Sequence, residues 1–124
     1  VPRSGPMNVL ICGDRNWTDR LAIRTWIAKL QDFGYDTVIE GGARGADSLA
    51  KEEAYAAGMN VREFSADWRR YGRAASPIRN AQMLTEGKPQ LVVAFHKDLT
   101  NSRGTANMVK QAKEAGVSVI VVEN

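Results

Sequence analysis

Thr37-Val38-Ile39-Glu40-Gly41-Gly42-Ala43-Arg44-Gly45-Ala46-Asp47 runs from an apolar, β-branched segment through a glycine-rich turn into an alanine-rich helical segment, Ser48 to Gly58. Such a turn between a strand and a helix leaves backbone N–H groups at the positive end of the helix dipole, where a phosphate can sit. Arg44 at its mouth adds a guanidinium suited to two-point contact with the same anion. Close packing of a strand against a helix also calls for glycines, so the turn taken alone fits either use. A side chain at Gly45 is expected to block the cradle without unfolding the chain.

The alternation of strand and helix repeats on both sides. Asn8-Val9-Leu10-Ile11-Cys12, ended by Gly13, has the look of a buried parallel strand. Thr18 or Asp19 caps a helix whose apolar positions Ile23, Trp26, Ile27, Leu30 and Phe33 keep the helical period, and Gly34 stops it. The second strand is Thr37 to Glu40. Its helix, from about Ala46 to Ala57, presents Leu49, Ala50, Ala54 and Ala57 inward. Val61 to Phe64 is a weaker strand, followed by an irregular stretch from Ser65 to Ala75. Ser76 as N-cap and Pro77 at the first helical position start the next helix, which stops near Gly87-Lys88-Pro89. Leu91 to Phe95 is the fourth strand. Gly104-Thr105 opens a helix through Met108, Val109, Ala112 and Ala115, and Val117 to Val122 is the last strand. Five strands alternating with about four helices predict an α/β domain, a three-layer Rossmann-like sandwich with a mainly parallel five-stranded sheet.

The 124 residues carry a formal net charge of +3. Val1 to Pro6 reads as an expression-tag remnant, with a single domain expected from Met7 to Asn124. Without Arg3 the charge falls from +3 to +2. That balance does not by itself mark a nucleic-acid footprint. No apolar run reaches membrane-spanning length. Lone Cys12 cannot close an internal disulfide and fits a reducing, cytoplasmic setting. One histidine and one cysteine give no basis for a structural metal site, and none is expected.

Ligands of open α/β sheets bind beyond the carboxyl ends of the strands. The polar residues gather there: Gly13, Asp14 and Arg15 after the first strand, Glu40 and the glycine turn after the second. Trp68, Arg79 and Asn80 follow the third, and His96, Arg103, Gly104 and Thr105 the fourth. Gly42 to Ala46 and Gly104-Thr105 are candidate phosphate cradles, with Arg15, Arg44, Arg79 and Arg103 supplying charge. Asn80 is a candidate for a ribose or phosphate contact, and Trp17 or Trp68 for stacking on a base. Asp14, Glu40 and Asp47 are the carboxylates available to N-glycosidic chemistry, with Asp14 and Glu40 preferred, and Asp47 better placed to complement a helix dipole. His96 is a candidate acid or base, although a lone histidine is more often structural. Asp14 and Glu40 are also the candidates to hold Mg²⁺ through phosphate oxygens.

Gly41 to Asp47, Ser76-Pro77-Ile78-Arg79-Asn80 with Met83, and Ser102-Arg103-Gly104-Thr105-Ala106-Asn107-Met108 together resemble the signatures of the YspA-type (YpsA-related) branch of the SLOG superfamily. The resemblance covers Met7 to Asn124 in order, with Gly13-Asp14-Arg15 after the first strand. It implies a Rossmann-like fold and a ligand among nucleotides, nucleotide-sugar derivatives and single-stranded DNA. The cytokinin-activating phosphoribohydrolases of the same superfamily carry Gly-Gly-x-Gly-Thr-x-x-Glu after the fourth strand. Here Gly104-Thr105 is kept, but Met108 stands where the glutamate would. Ala43 to Asp47 is also similar to the turn of DNA-processing protein A. The expected function is binding of a phosphorylated nucleotide or nucleoside derivative, by a binder, a sensor or an enzyme acting on an N-glycosidic bond. Single-stranded nucleic-acid binding is the alternative, and a protein-interaction module the third reading. Homo-oligomerisation is expected from the apolar helix faces of so small a sandwich.

Overall fold

The computed structural model describes residues 5–123. Val1 to Ser4 of the tag-like segment lie outside them. Strands β1 (Asn8–Gly13), β2 (Thr37–Glu40), β3 (Asn60–Glu63), β4 (Leu91–Phe95) and β5 (Ser118–Val122) form one sheet in the order β3-β2-β1-β4-β5. Every neighbouring pair is parallel. The chain therefore builds outward from β1 to one edge, then crosses back to β4 on the other side of β1.

That reversal sorts the helices onto two faces. Alternate residues of β1 serve different cores: Val9 and Ile11 pack with α1 (Arg20–Asp32) and α2 (Ala46–Ala56), while Leu10 and Cys12 pack with α4 (Ala75–Gly87) and α5 (Gly104–Glu114). Ile23, Ile27 and Leu30 of α1 are buried at helical spacing. On α2 the buried apolar residues are only Ala46, Ala50 and Ala54, so small side chains bring this helix near the sheet. Burial of each large aliphatic side chain stabilises by about 1.5–3 kcal/mol. Among the described residues no helix is long and apolar enough to cross a membrane.

Local chemistry sets the helix ends. Asp19 caps α1 by accepting from the Ala22 N–H at 3.1 Å. Phe33 is the C-cap and is 81% exposed, so it falls outside the predicted apolar stripe. The chain turns away there, and Tyr35 packs on the core instead. The stretch after β3 is also more ordered than its composition suggests. Asp67 accepts from the Arg70 N–H and starts a one-turn helix, α3 (Trp68–Tyr71), which runs through a tight turn at Gly72–Ala74 into α4. Helix α4 thus begins before Ser76, whose Oγ accepts from Arg79 rather than capping the helix. Pro77 still lies in the first turn, where a missing N–H costs nothing.

Candidate cleft at the carboxyl edge of the sheet

The carboxyl ends of β1 and β4, adjacent where the strand order reverses, open into a cleft of about 770 Å³. Loops after both strands, the glycine turn, α3, α4 and the start of α5 close around it. Of the residues singled out in the sequence, Gly13, Asp14, Arg15, Arg44, Asp47, Trp68, Arg79, Asn80, Arg103, Gly104 and Thr105 line this space. Gly41, Gly42, Gly45 and Ala46 do not line it, and Glu40 is fully buried.

The glycine turn is held mainly by its own hydrogen bonds. Asp47 Oδ2 accepts from the Gly41 N–H at 3.1 Å and the Ala43 N–H at 3.3 Å. Glu40 Oε1 accepts from the Gly42 N–H at 2.6 Å, and the Asp14 carbonyl accepts from the Ala46 N–H at 3.1 Å. Among the described residues, Arg44 and Gly45 are left as the amides of this turn without a protein acceptor. Gly45 serves packing as well. With φ of +77°, it lets the turn pass directly against the Asp14 and Arg15 carbonyls, where a Cβ would overlap both. A valine there would strain the fold, so it cannot test ligand binding in isolation.

Three polar side chains under the cleft fix its floor. Arg79 donates to the Gly41 carbonyl, to Asn80 Oδ1 at 3.1 Å and to Ser76 Oγ at 3.3 Å. Burial lowers its pKa, and the negative field of Asp47 opposes that shift. Asp47 itself is pushed up to about 6 by burial, against the pull of the Ala43 N–H and Arg79. Asn80, also buried, donates to the Gly104 carbonyl at 3.2 Å and to Asn107 Oδ1 at 3.1 Å, tying α4 to the start of α5. At that start, Ser102 Oγ already accepts from the Thr105 N–H at 3.0 Å.

Glu40 has a different environment. Burial, then its contact with Glu63, raises its pKa to about 8, and the Gly42 N–H pulls the other way. Its Oε2 is the buried side-chain polar atom left without a partner among the described residues. A proton on that oxygen resolves this, because the carboxyl then donates to Glu63, whose own pKa is lowered by Glu40 and Lys51. Glu40 thus supports the turn from below. It shares no open face with Asp14 for a cation, and among the described residues no group of three or more acidic, histidine or cysteine side chains is placed to hold a metal.

Asp14 faces the cleft beside His96, with Oδ2 3.9 Å from Nε2. The Asp98 N–H donates to His96 Nδ1 at 3.0 Å, which leaves Nε2 to carry the proton of the neutral ring and turns it toward Asp14. Cys12 also lines the cleft, but burial raises its pKa far from the nucleophilic range. Of the two tryptophans weighed for stacking, Trp17 packs edge-on against Phe95, donates to the Asp19 carbonyl and is buried. Trp68 is 48% exposed at the rim, with the Arg15 guanidinium 5.9 Å from its ring centre. Arg73 and Asn107 also line the cleft; Arg73 does not stand out in the sequence, and Asn107 does so only as part of the Ser102–Met108 motif. Arg73 sits in a stretch that reads as irregular, and the structure gives Asn107 its role by facing it to Asn80.

Positive charge gathers at the cleft. Arg15, Arg44, Arg73, Arg79 and Arg103 all line it, and among the described residues none has a carboxylate within 4.0 Å. Arg20 and Arg24, on α1, are instead paired with Glu52 and Glu53 at 2.7 to 2.8 Å. The two arginines of α1 are neutralised across the α1–α2 contact; those of the cleft are not.

Comparison with known proteins agrees with this architecture. The profile of the YspA, cpYpsA-related SLOG family matches residues 7–71. The Gene 61 protein of Mycobacterium phage D29 is 36% identical over 121 residues, spanning 90% of this chain and 93% of the phage protein. Among solved structures, DNA processing protein A (DprA) from Streptococcus pneumoniae is similar, with a TM-score of 0.75 at 17% identity. That match covers 94% of this chain and 50% of DprA, so the chain spans about half of DprA's length. At so low an identity the likeness shows a shared fold.

Proposed function

The chain belongs to the YspA, cpYpsA-related SLOG family, and from that premise we propose that its cleft binds a phosphorylated nucleotide or nucleoside derivative. The observation that carries this is the set of five cleft arginines without carboxylate partners. Unpaired guanidinium groups gathered at the switch point of an α/β sheet suit phosphate oxygens, which they grip by two parallel hydrogen bonds. In this proposal Arg15, Arg44, Arg73 and Arg103 hold the phosphates, aided by the Gly104 N–H at the start of α5. Arg79 and Asn80 hold the floor in shape, and the Trp68 indole covers the base. Of the two carboxylates lining the cleft, Asp47 is taken up by the Gly41 and Ala43 N–H groups, which leaves Asp14 as the candidate for any cleavage of the N-glycosidic bond, with His96 orienting it. A cytoplasmic setting accords with the buried thiol of Cys12.

A thermal-shift screen of nucleoside mono- and diphosphates tests this directly. A ligand at about 100 times its dissociation constant raises stability by roughly 2.7 kcal/mol. Arg44→Ala and Arg103→Ala, both at exposed positions, are each expected to weaken that ligand about tenfold or more while leaving the unliganded melting temperature in place. Unchanged affinity in both variants would remove the phosphate role of the cleft. Chromatography of the recovered nucleotide then reports whether any bond was broken.

A second reading has its own observation. Trp68-Arg69-Arg70-Tyr71-Gly72-Arg73 is exposed throughout and alternates aromatic and basic residues along the rim. Aromatic platforms beside arginines also suit a single nucleic-acid strand, and DprA is by its name a DNA-processing protein. Salt separates the two: a strand displacing several counterions gives a steep fall of affinity with salt, and a mononucleotide a shallow one.

A further inference from the structure

Asp47, in the first turn of α2, lines the cleft and is only 5% exposed. Its two carboxylate oxygens are used differently. Oδ2 accepts from the Gly41 and Ala43 N–H groups. Oδ1 has no hydrogen-bond donor among the described residues, yet it is not sealed from solvent as Glu40 Oε2 is. The little surface that Asp47 keeps toward the cleft therefore includes Oδ1. The arginines around it do not supply the missing donor. Arg79, whose charge acts on Asp47, directs its N–H groups to the Gly41 carbonyl, Asn80 and Ser76. Among the described residues no cationic group comes within 4.0 Å of this carboxylate. A buried carboxylate oxygen without a donor is costly, and a ligand that brings one removes the cost. Burial pushes the pKa of Asp47 up only to about 6, so the group is ionised at neutral pH. It then repels phosphate and accepts from an uncharged donor.

We propose that Asp47 Oδ1 is a ribose subsite, accepting from a 2′- or 3′-hydroxyl, so that the cleft selects ribonucleotides over their deoxy counterparts. The inference rests on the nucleotide reading above and adds the sugar to it. Placement favours the sugar over the other donors of a nucleotide. Amino groups of the base go with the base, which that reading sets against Trp68 at the rim. Arg15 ties the two places together: its guanidinium is 5.9 Å from the Trp68 ring centre, and its charge also acts on Asp47. The phosphates go to guanidinium groups such as Arg44 and Arg103, away from a like charge. The sugar joins base to phosphates, and Asp47 on the floor is the acceptor offered to it. Asp14, the other carboxylate lining the cleft, stands beside His96 with its side chain 30% exposed, so water can fill its free oxygen.

Isothermal titration calorimetry of the full chain at about pH 8, where Asp47 is ionised, tests this. The titrants are ADP, GDP, CDP and UDP and their 2′,3′-dideoxy counterparts, in EDTA, and the readout is the ratio of the two affinities for each base. For the bases that bind, the ribose form is expected to bind about tenfold or more tightly, since its dideoxy counterpart leaves a charged acceptor unfilled. Asp47→Asn keeps an oxygen for the Gly41 and Ala43 N–H groups and puts an uncharged amide in place of Oδ1. It should shrink the ratio about threefold or more, and Asp47→Ala should bring it near one. Loosening of the turn in either variant weakens both ligands alike and cancels in the ratio. A wild-type ratio near one, with the diphosphates still bound, would overturn the ribose subsite and leave the phosphate reading standing. A ratio undiminished in Asp47→Asn would overturn it too, as would one that appears only on adding Mg²⁺, which assigns the oxygen to a cation. Failure of every diphosphate to bind would remove both readings.

Discussion

Gly45→Ala is expected to lower the melting temperature of the unliganded protein by roughly 10–20 °C, corresponding to about 3–5 kcal/mol. Two costs combine. A left-handed residue that is not glycine carries strain of about 1–3 kcal/mol, and overpacking adds a similar amount. The second arises because the new Cβ would overlap the backbone carbonyls of Asp14 and Arg15, which cannot swing aside as a side chain can. Those carbonyls belong to the loop that carries Asp14 into the cleft, and the Asp14 carbonyl also receives the Ala46 N–H. Gly58 supplies the control. It has the same φ of +77°, but a Cβ added there meets nothing within 4 Å, so Gly58→Ala should show the strain alone. The difference between the two variants measures the close approach of the β1 and β2 loops. Equal losses of stability in the two would show that the contact contributes nothing.

The same close approach marks the limit of what was legible in the sequence. Strand and helix order could be read because apolar period and glycine stops are local signals, and β1, α1, β2 and α2 fall within a residue or two of their predicted bounds. Parallel pairing followed from the alternation itself. Phe33 misled because helical period says nothing of where a helix ends. Trp17 and Trp68 look alike in sequence, and only the packing of Phe95 separates a core indole from a rim indole. The glycine turn carried a phosphate-binding signal, yet Asp47 and Glu40 take up three of its amides. Those bonds need side chains folded back on the turn, which spacing does not reveal. The arginine cluster has the opposite history: a net charge of +3 conceals it, because the paired and unpaired arginines separate only in three dimensions.

Glu40 is expected to make the protein less stable as pH rises from 5 to 9, by up to about 1.4 kcal/mol for each pH unit within the window of its titration. The sign follows from its raised pKa. The unfolded chain releases this proton near the ordinary value of 4.5, whereas the folded state keeps it to about 8. Between those values the native state binds more protons, so each rise in pH favours unfolding. Asp47 adds the same sign over a lower window, from 3.8 to about 6. Glu40→Gln isolates the upper window. Glutamine can still accept from the Gly42 N–H, and its amide can donate to Glu63 where the carboxyl proton did. That variant should match the wild type near pH 5 and exceed it at pH 9. Glu40→Ala, which leaves the Gly42 N–H unpaired above a cavity, should fall about 2–3 kcal/mol below the wild type near pH 5, a deficit that closes as pH rises because alanine has no proton to lose. Urea denaturation at three pH values decides the matter. A glutamine variant that weakens with pH as steeply as the wild type would show that Glu40 is already ionised, and that the proton beneath the glycine turn is not there.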